Sequence, residues 1–179
     1  MATPTSLPAS FTAGDVLTAA NMNLLRGAFR ILQVVSTIKT DTFTTSSTSY
    51  TDITGLSVSI TPTDANSKVL VIATLNGAGQ AAVAEAFIQL VRDSTPIAIG
   101  DTAGTRIRAT TTFMSDATRQ VLAGVTYLDS PATTSATTYK LQIQASAAGT
   151  VYVNRAGSDT DATTRSRTVS SITVCEVSA

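Results

Sequence analysis

The chain has 179 residues and a mass of 18.4 kDa, the size of one ordinary domain or of one domain with a short appendage. Twelve basic side chains balance twelve acidic ones, so the sequence lacks the positive excess that polyanion-binding proteins carry. Histidine is absent and cysteine occurs once, which excludes histidine-based catalytic sites and four-cysteine zinc sites built from this chain alone. We therefore expect no enzyme activity, no catalytic residues, no metal or cofactor, and no nucleic-acid partner.

The first segment, residues 1–32, is predicted to be an anchor with a short helix over about residues 18–32. Thr18 is a suitable N-cap, and Leu17 and Met22 have the spacing of a hydrophobic staple. Apolar residues then recur at coiled-coil spacing, at Met22, Leu25, Phe29 and Leu32. This stripe either packs on the core of its own domain or joins copies of the chain and docks on a larger body. The position before an all-β region favours assembly, because so short a helix needs a partner surface.

The second segment, residues 33–179, is predicted to be a β-sandwich. Its hydrophobic period changes to two, and turn residues follow at short intervals without an intervening helical stretch. The candidate strands are residues 33–38, 42–50, 56–60, 68–75, 83–92, 96–99, 105–114, 119–128, 138–145, 150–154 and 168–177.

Two of these strands, residues 68–75 and 119–128, are apolar on both faces. Residues 139–145 instead alternate, with apolar residues at odd positions and Lys140, Gln142 and Gln144 between them, as expected for a strand with one wet face. A doubly apolar strand needs cover on both sides, and the sequence after residue 32 offers no helix for it. We expect a second sheet or subunit to supply that cover in an oligomer of sandwiches. The alternative is a central strand lying between bulky loops.

Candidate chemistry concentrates in the polar stretch 154–167. We expect Asn154, Arg155, Asp159, Asp161 and Arg165 to form a partner-contact loop, with Arg167 beside them, because this is the stretch richest in groups for polar contacts. The run from Asp159 to Asp161 is the best candidate for calcium, but two carboxylates are weak support and we predict no metal.

The other acidic residues are predicted to stabilise turns through their own backbone. They are Asp64, Asp93, Asp101, Asp116 and Asp129. Aromatic residues make up 5% of the chain, and most fall in strands where packing is their ordinary use. Tyr50 and Tyr152, near strand ends, are the two candidates for contact with a sugar ring.

The start of the chain, MATPTSLPAS, lacks the basic and apolar regions of a secretory signal. Its most apolar run, residues 69–75, is far shorter than the roughly 20 residues of a membrane-spanning helix. We expect synthesis in a reducing cytoplasm, no membrane partner, and Cys175 as a small buried apolar residue.

Two parts of the sequence resemble virion proteins of tailed bacteriophages. Residues 11–23, FTAGDVLTAANMN, resemble the opening of such proteins, in which a similar phrase starts a short anchoring helix. The patterns YKLQI at 139–143, VYVNR at 151–155 and SSITV at 170–174, followed by Glu176, resemble the C-terminal part of phage fibre, knob and decoration proteins. The resemblance implies a homotrimer with a jelly-roll-like antiparallel β-sandwich, attached to head or tail by its N-terminus. It implies no catalytic residues and no defined receptor site.

The expected function is that of a non-enzymatic structural protein of the virion, made in the host cytoplasm. It would be a head or tail fibre or a capsid decoration protein. Its partners would be its own copies, capsid or tail proteins, and a glycan of the host surface. The alternative is a carbohydrate-binding or adhesive module of cellular origin, which leaves the apolar stripe of the N-terminal segment unexplained. A phage depolymerase ranks third, because no pair of acidic residues is marked for glycoside cleavage.

Overall fold

A computed structural model describes residues 31–80, 83, 85–114 and 116–178, with Gly14, Val16, Thr18 and Ala19 before them. Within these residues the chain folds into eleven strands joined by turns and loops. In chain order they are β1 (Ile31–Lys39), β2 (Phe43–Thr45), β3 (Thr51–Ile60), β4 (Lys68–Gly79), β5 (Glu85–Arg92), β6 (Thr95–Ile97), β7 (Thr111–Met114), β8 (Val121–Asp129), β9 (Thr137–Ala145), β10 (Val151–Val153) and β11 (Ser170–Val177).

The strands form two antiparallel sheets. In sheet A, β11 lies between β1 and β4, and β8 pairs with the other edge of β4. The short strand β10 pairs with β4 beyond the end of β11, and β2 pairs with β10. β10 therefore continues the line of β11, and β2 continues the line of β1. We call each such line of strands a column. In sheet B, β9 lies between β3 and β5, while β6 and β7 pair with successive parts of the free edge of β5. Each sheet is therefore four columns wide.

One hydrophobic core lies between the sheets. It is built from the alternate residues that each strand turns inward, such as Val69, Val71 and Leu75 of β4 against Leu141 and Ile143 of β9. These side chains are at most 1% exposed, and burial of one such side chain stabilises the fold by about 1.5–3 kcal/mol. The prediction of a mainly β protein with an antiparallel β-sandwich is confirmed.

Asp129 joins the two sheets at one end of the core. It ends β8 of sheet A, is 4% exposed, and accepts hydrogen bonds from Arg92 Nη1 at 2.9 Å and Tyr139 Oη at 2.7 Å, both from sheet B. The prediction that Asp129 serves a turn is therefore wrong. By contrast, Asp64 and Asp116 do accept hydrogen bonds from backbone N–H groups two residues further on, at 2.7 Å in each case.

The main difference from the predicted strands lies in residues 42–50. The structure has only the short strand β2 in this run, followed by a turn at residues 46–50, and β3 begins after it at Thr51. Ser47 makes the turn with its side chain: Oγ donates to the carbonyl oxygen of Ser49 at 2.7 Å and accepts from the Ser49 amide at 3.0 Å. Hydroxyl side chains that bind nearby backbone compete with strand pairing, so a Ser- and Thr-rich run is not always a strand.

The predicted N-terminal helix is not supported. Residues 20–30 lie outside the described residues, and so do Leu17, Met22, Leu25 and Phe29 of the predicted oligomerisation and anchor set. The predicted end of the helix at residue 32 is wrong, because Ile31 and Leu32 already belong to β1. Leu32 lies at an irregularity in the pairing of β1 with β11. The backbone pairing available at the sheet edge there outweighs the helical spacing of a single stripe.

Candidate functional site

Asn154 fixes the beginning of the loop between β10 and β11, residues 154–169. Its backbone has a φ of 62°, in the left-handed region that asparagine tolerates better than most residues. The side chain is 0% exposed, and Nδ2 donates to the carbonyl oxygens of Lys39 and Asp41, both at 2.9 Å. The carboxamide oxygen accepts from Ser170 Oγ at 2.6 Å. These contacts use the side chain within the fold, so the role that the structure gives Asn154 is structural. Its contact with a partner stays a prediction.

Asp159 and two arginines join the two ends of this loop, at a point that we call the neck. The Oδ2 atom of Asp159 lies 3.1 Å from Arg155 Nη1 and 2.7 Å from Arg167 Nη2. Arg155 and Arg167 also form an isolated antiparallel bridge through their backbones. Below the neck, the Arg155 guanidinium stacks on Tyr152, 4.2 Å from the ring centroid. One carboxylate therefore holds two guanidinium groups from opposite strands of the loop.

A polar cleft of about 270 Å³ opens above this neck. Its lining residues are Asp159, Thr160, Asp161, Ala162, Arg165, Ser166 and Arg167. Gln120, which precedes β8, supports one wall by donating from Nε2 to the carbonyl oxygen and to Oγ of Ser166, both at 2.9 Å. The loop also packs closely on residue 117, where Ser158 N donates to the carbonyl oxygen of Ala117 at 3.0 Å. Of the five predicted partner-contact residues, the cleft therefore includes Asp159, Asp161 and Arg165.

The cleft does not have the donor set of a calcium site. Calcium takes six to eight oxygen ligands, and the Asp159 carboxylate is already engaged by two arginines. Among the described residues, no group of three or more Cys, Asp or Glu side chains is placed to hold a metal ion.

The two tyrosines considered for sugar contact are both engaged within the fold. Tyr152 is 7% exposed beneath Arg155, so its ring face is not open to a ligand. Tyr50 precedes β3 and donates from Oη to the carbonyl oxygen of Arg108, at 2.7 Å, in the connection between β6 and β7. Burial raises the pKa of Tyr50 to about 12, so its hydroxyl keeps the proton that it donates.

The outer face of sheet A carries the second candidate surface. Strand register places Val34 opposite Cys175, Cys175 opposite Leu70, and Leu70 opposite Leu128. These four residues form a continuous line across all four columns of the sheet, which we call the apolar row. Val34 is 58% exposed and Leu128 is 52% exposed. Cys175, expected to be buried, is only partly buried because it belongs to this outer row.

The two rows on one side of the apolar row are also free of charge, whereas the row on its other side contains Lys68 beside Val177. The next row contains Ser36, Thr173, Ile72 and Thr126, and the one after it contains Ile38, Ser171, Thr74 and Gly124. Ile72 is 42% exposed and Ile38 is 64% exposed. The hydroxyls pair with each other across strands, as in Ser36 with Thr173 at 2.8 Å and Thr74 with Ser171 at 3.0 Å. Among the described residues, therefore, β4 and β8 lack cover on their outer sides, which is the condition that the sequence predicted.

The outer face of sheet B has the opposite character. Asp52 pairs with Lys140 Nζ at 2.8 Å and accepts from Gln142 Nε2 at 2.6 Å. Gln89 continues the network by donating to Gln142 Oε1 at 2.6 Å. The hydrogen bond from Lys140 and then that from Gln142 hold the pKa of Asp52 below its usual value. The outer face of sheet B thus carries a charged, hydrogen-bonded network, whereas sheet A presents three uncharged rows bordered by Lys68.

No protein-family model matches this chain, and a search of curated proteins finds no match. Among the residues that the structure describes, no helix is long and apolar enough to cross a membrane.

Sequence reasoning found the two doubly apolar strands and the polar loop, but it missed two features. The apolar row depends on the register of four strands, and register is set by pairing between distant segments rather than by any one strand. The neck of the loop depends on Arg155, Asp159 and Arg167 meeting at one carboxylate. The spacing of four residues between Arg155 and Asp159 is visible in the sequence. The sequence does not show that the loop turns back and brings Arg167 to the same carboxylate.

Proposed function

We propose that this chain is a non-enzymatic structural protein of a tailed-bacteriophage virion. It assembles as a homotrimer, is attached to the head or the tail by its N-terminal segment, and projects its β-sandwich outward. There it stabilises the particle or contacts the host surface as a fibre or decoration protein. Its partners are its own copies and capsid or tail proteins, and its place is the virion after synthesis in the host cytoplasm.

The observation that carries the proposal is the uncharged outer face of sheet A. Three uncharged rows about 6.8 Å apart, across four strands about 4.8 Å apart, give a face of roughly 400 Å² in plan. That is about half of the roughly 800 Å² per partner of a standard interface. Depletion of charge is typical of the core of such interfaces. In a trimer the same neutral face of each of the three copies would turn toward the shared threefold axis.

The order of the strands supports the fold part of the proposal. With the short strands counted in the columns that they prolong, sheet A reads β1-β11-β4-β8 and sheet B reads β3-β9-β5-β6/β7. Successive columns along the chain alternate between sheets except where β5 turns into β6 and β7. Two four-column sheets linked in this way support the jelly roll that the sequence resemblance implies, a fold common in viral structural proteins. The number of copies and the virion itself come from the sequence resemblance.

The position of β1 supports attachment by the N-terminus. β1 is the edge strand of sheet A, and the chain enters it at Ile31. The segment before it therefore joins the sandwich at the border of the uncharged face. A segment that binds the particle would hold that face close to the neighbouring copies, which raises their effective concentration.

The mass of the protein in solution tests the assembly. We expect light scattering after size exclusion to give three times 18.4 kDa for the full chain. Leu70→Asp would place one charge per copy in the apolar row, where desolvation is unfavourable, and we expect it to give the mass of a single chain. Ser57→Asp is the matched control, because Ser57 lies opposite Lys140 on the polar face of sheet B. A full chain that is monomeric at micromolar concentration, or a Leu70→Asp variant that stays trimeric, would contradict the proposal.

The place of the protein tests the rest of the proposal. We expect purified particles to contain the chain, and images of those particles to show its density as a projection from head or tail. Particles that lack the chain while infected cells contain it would contradict a structural role in the virion.

A further inference from the structure

The cleft in the loop between β10 and β11 contains an arginine whose charge is not used by the fold. Arg155 and Arg167 are both paired with Asp159. Arg165 forms no hydrogen bond or ion pair through its guanidinium with any residue that the structure describes, and its Nε atom is buried without a partner. A buried donor without an acceptor is unfavourable. The two Nη groups of Arg165 are not among the buried atoms, and Arg165 lines the cleft, so an acceptor that entered there would reach them.

The charges around the cleft define the ligand that it fits. The loop has three arginines, Arg155, Arg165 and Arg167, against Asp159 and Asp161, so its net charge is one positive. That excess matches a single carboxylate and is too small for a polyanion. Arginine binds carboxylates through two parallel N–H groups in a fixed plane, and such pairs are stronger than neutral hydrogen bonds.

The rest of the lining favours a molecule covered with hydroxyl groups. Thr160 and Ser166 supply hydroxyls, and the exposed carboxylate of Asp161 is an acceptor. Ala162 is the one apolar residue of the lining, so an apolar peptide or an aromatic ring would gain little. The volume of about 270 Å³ lies just below the usual range of about 300–1,000 Å³ for small-molecule pockets. The cleft therefore has space for about one sugar ring.

From these contacts we propose that the cleft binds an acidic monosaccharide unit, with the sugar carboxylate on Arg165 and the ring hydroxyls on Asp161, Thr160 and Ser166. The location of that sugar on a host surface rests on the proposed function. The binding chemistry rests on the cleft alone.

Titration of the full chain with single sugars tests the inference. The probes are D-glucuronate, D-glucose as the same ring without the carboxylate, and acetate as the carboxylate without the ring. We expect glucuronate to bind at least tenfold more tightly than either of the others, measured by ligand-observed NMR. We expect Arg165→Gln to abolish this preference, and Arg165→Lys, which keeps the charge without the planar pair of donors, to reduce it.

The matched control is Arg106→Gln, which removes the same charge from the connection between β6 and β7. We expect it to leave glucuronate binding unchanged, and thermal unfolding of each variant would verify that the sandwich remains folded. Equal binding of glucuronate and glucose, or unchanged binding after Arg165→Gln, would overturn the inference. Failure here in a chain of trimeric mass leaves the proposed function standing, whereas sugar binding by a monomeric chain would support the cleft and contradict the assembly.

Discussion

Asn154 is the residue on which several separate parts of the chain depend. Its side-chain carboxamide binds the end of β1, the residues before β2 and the first residue of β11. Its backbone N–H donates to the carbonyl oxygen of Asn76 at 2.8 Å. Because one side chain satisfies three otherwise buried polar groups, its loss affects more than its own position.

Replacement of Asn154 should separate its side-chain role from its backbone role. Asn154→Gly keeps the freedom to adopt a φ of 62° but leaves buried polar partners unsatisfied, and we expect a loss of about 2–4 kcal/mol. Asn154→Ala adds the strain of a left-handed residue with a Cβ, for a further loss of about 1 kcal/mol. Denaturant unfolding measures both values. Asn66→Ala, at an exposed turn, is the control, and equal stability of all four proteins would contradict the role.

Glu176 is a fully buried carboxylate that connects β11 to β1 and to the turn after β3. It accepts from Gln33 Nε2 at 2.6 Å, and from the backbone amide and hydroxyl of Thr63 at 2.8 Å each. Burial raises the pKa of Glu176, but these hydrogen bonds outweigh burial and bring the pKa below its ordinary value of 4.5. The folded state therefore prefers the ionised carboxylate.

Stability should depend on pH through Glu176. A group with a lowered pKa in the folded state contributes stability above its unfolded pKa, and that contribution is lost as the pH falls through the folded pKa. We expect the wild-type chain to lose stability below about pH 4.5, and the stability difference between it and Glu176→Gln to shrink over the same range. Unfolding midpoints at fixed protein concentration from pH 7 to pH 3 would measure this, and a constant difference would contradict it.

At the scale of elements, β4 is a central strand of sheet A, and the packing at its C-terminal end requires a glycine at position 77. A Cβ placed on Gly77 would lie 2.4 Å from the Phe113 ring, and Phe113 is 3% exposed in the core. The strand and β7 of the other sheet can approach this closely because Gly77 has no side chain. Gly124 of β8, by contrast, has no atom within 4 Å of such a Cβ.

The two glycines provide a matched pair of substitutions. Gly77→Ala should destabilise the sandwich by about 1–3 kcal/mol, because the buried ring has to shift to make room. Gly124→Ala should be neutral or stabilising by up to about 1 kcal/mol, because alanine restricts the unfolded chain without a clash. Denaturant midpoints of the two variants would measure the effect, and a smaller loss for Gly77→Ala than for Gly124→Ala would refute it.

The elements could be predicted well where the period of two is regular, and poorly where side chains bind nearby backbone. Strands β4, β8, β9 and β11 begin and end within about two residues of their predicted limits, except that β4 runs on from the predicted end at residue 75 to Gly79. Residues 105–110 were predicted as strand, but only Thr111–Met114 pairs with β5. Arg108 instead forms hydrogen bonds with Tyr50 and Gly100, and Thr110 forms one with Leu90. These partners lie too far away in the sequence for a local pattern to reveal them.

At the scale of the whole molecule, the strands found among the described residues begin with β1. They all lie within residues 31–178, and β1 is paired with β11. A truncation that keeps β1 therefore ends at residue 30, and the division into anchor segment and sandwich stays a prediction.

Truncation should separate folding from attachment. Deletion of residues 1–30 should leave a chain with the β-rich circular dichroism of the full protein and without binding to particles that lack it. Deletion of residues 1–39 removes β1 and exposes one edge of β11, and we expect aggregation because an unpaired edge strand is a template for pairing. Attachment that survives the shorter deletion, or normal folding after the longer one, would count against this division.

The candidate surfaces were predictable in kind but not in arrangement. The sequence alone indicated that β4 and β8 need cover on both sides, and that residues 154–167 form the most polar loop. It did not indicate that Val34, Cys175, Leu70 and Leu128 would be neighbours, nor that Arg165 would be left without a partner. Both outcomes depend on the packing of segments far apart in the chain.

The closed neck of the loop between β10 and β11 has a consequence for how such a protein can vary. Thr168 N donates to the carbonyl oxygen of Asn154 at 3.3 Å, and Arg155 and Arg167 meet above that bond. The residues in between leave and return at nearly the same point, so their number and identity can change without displacing a strand. The loop is therefore a natural position at which to graft a foreign epitope.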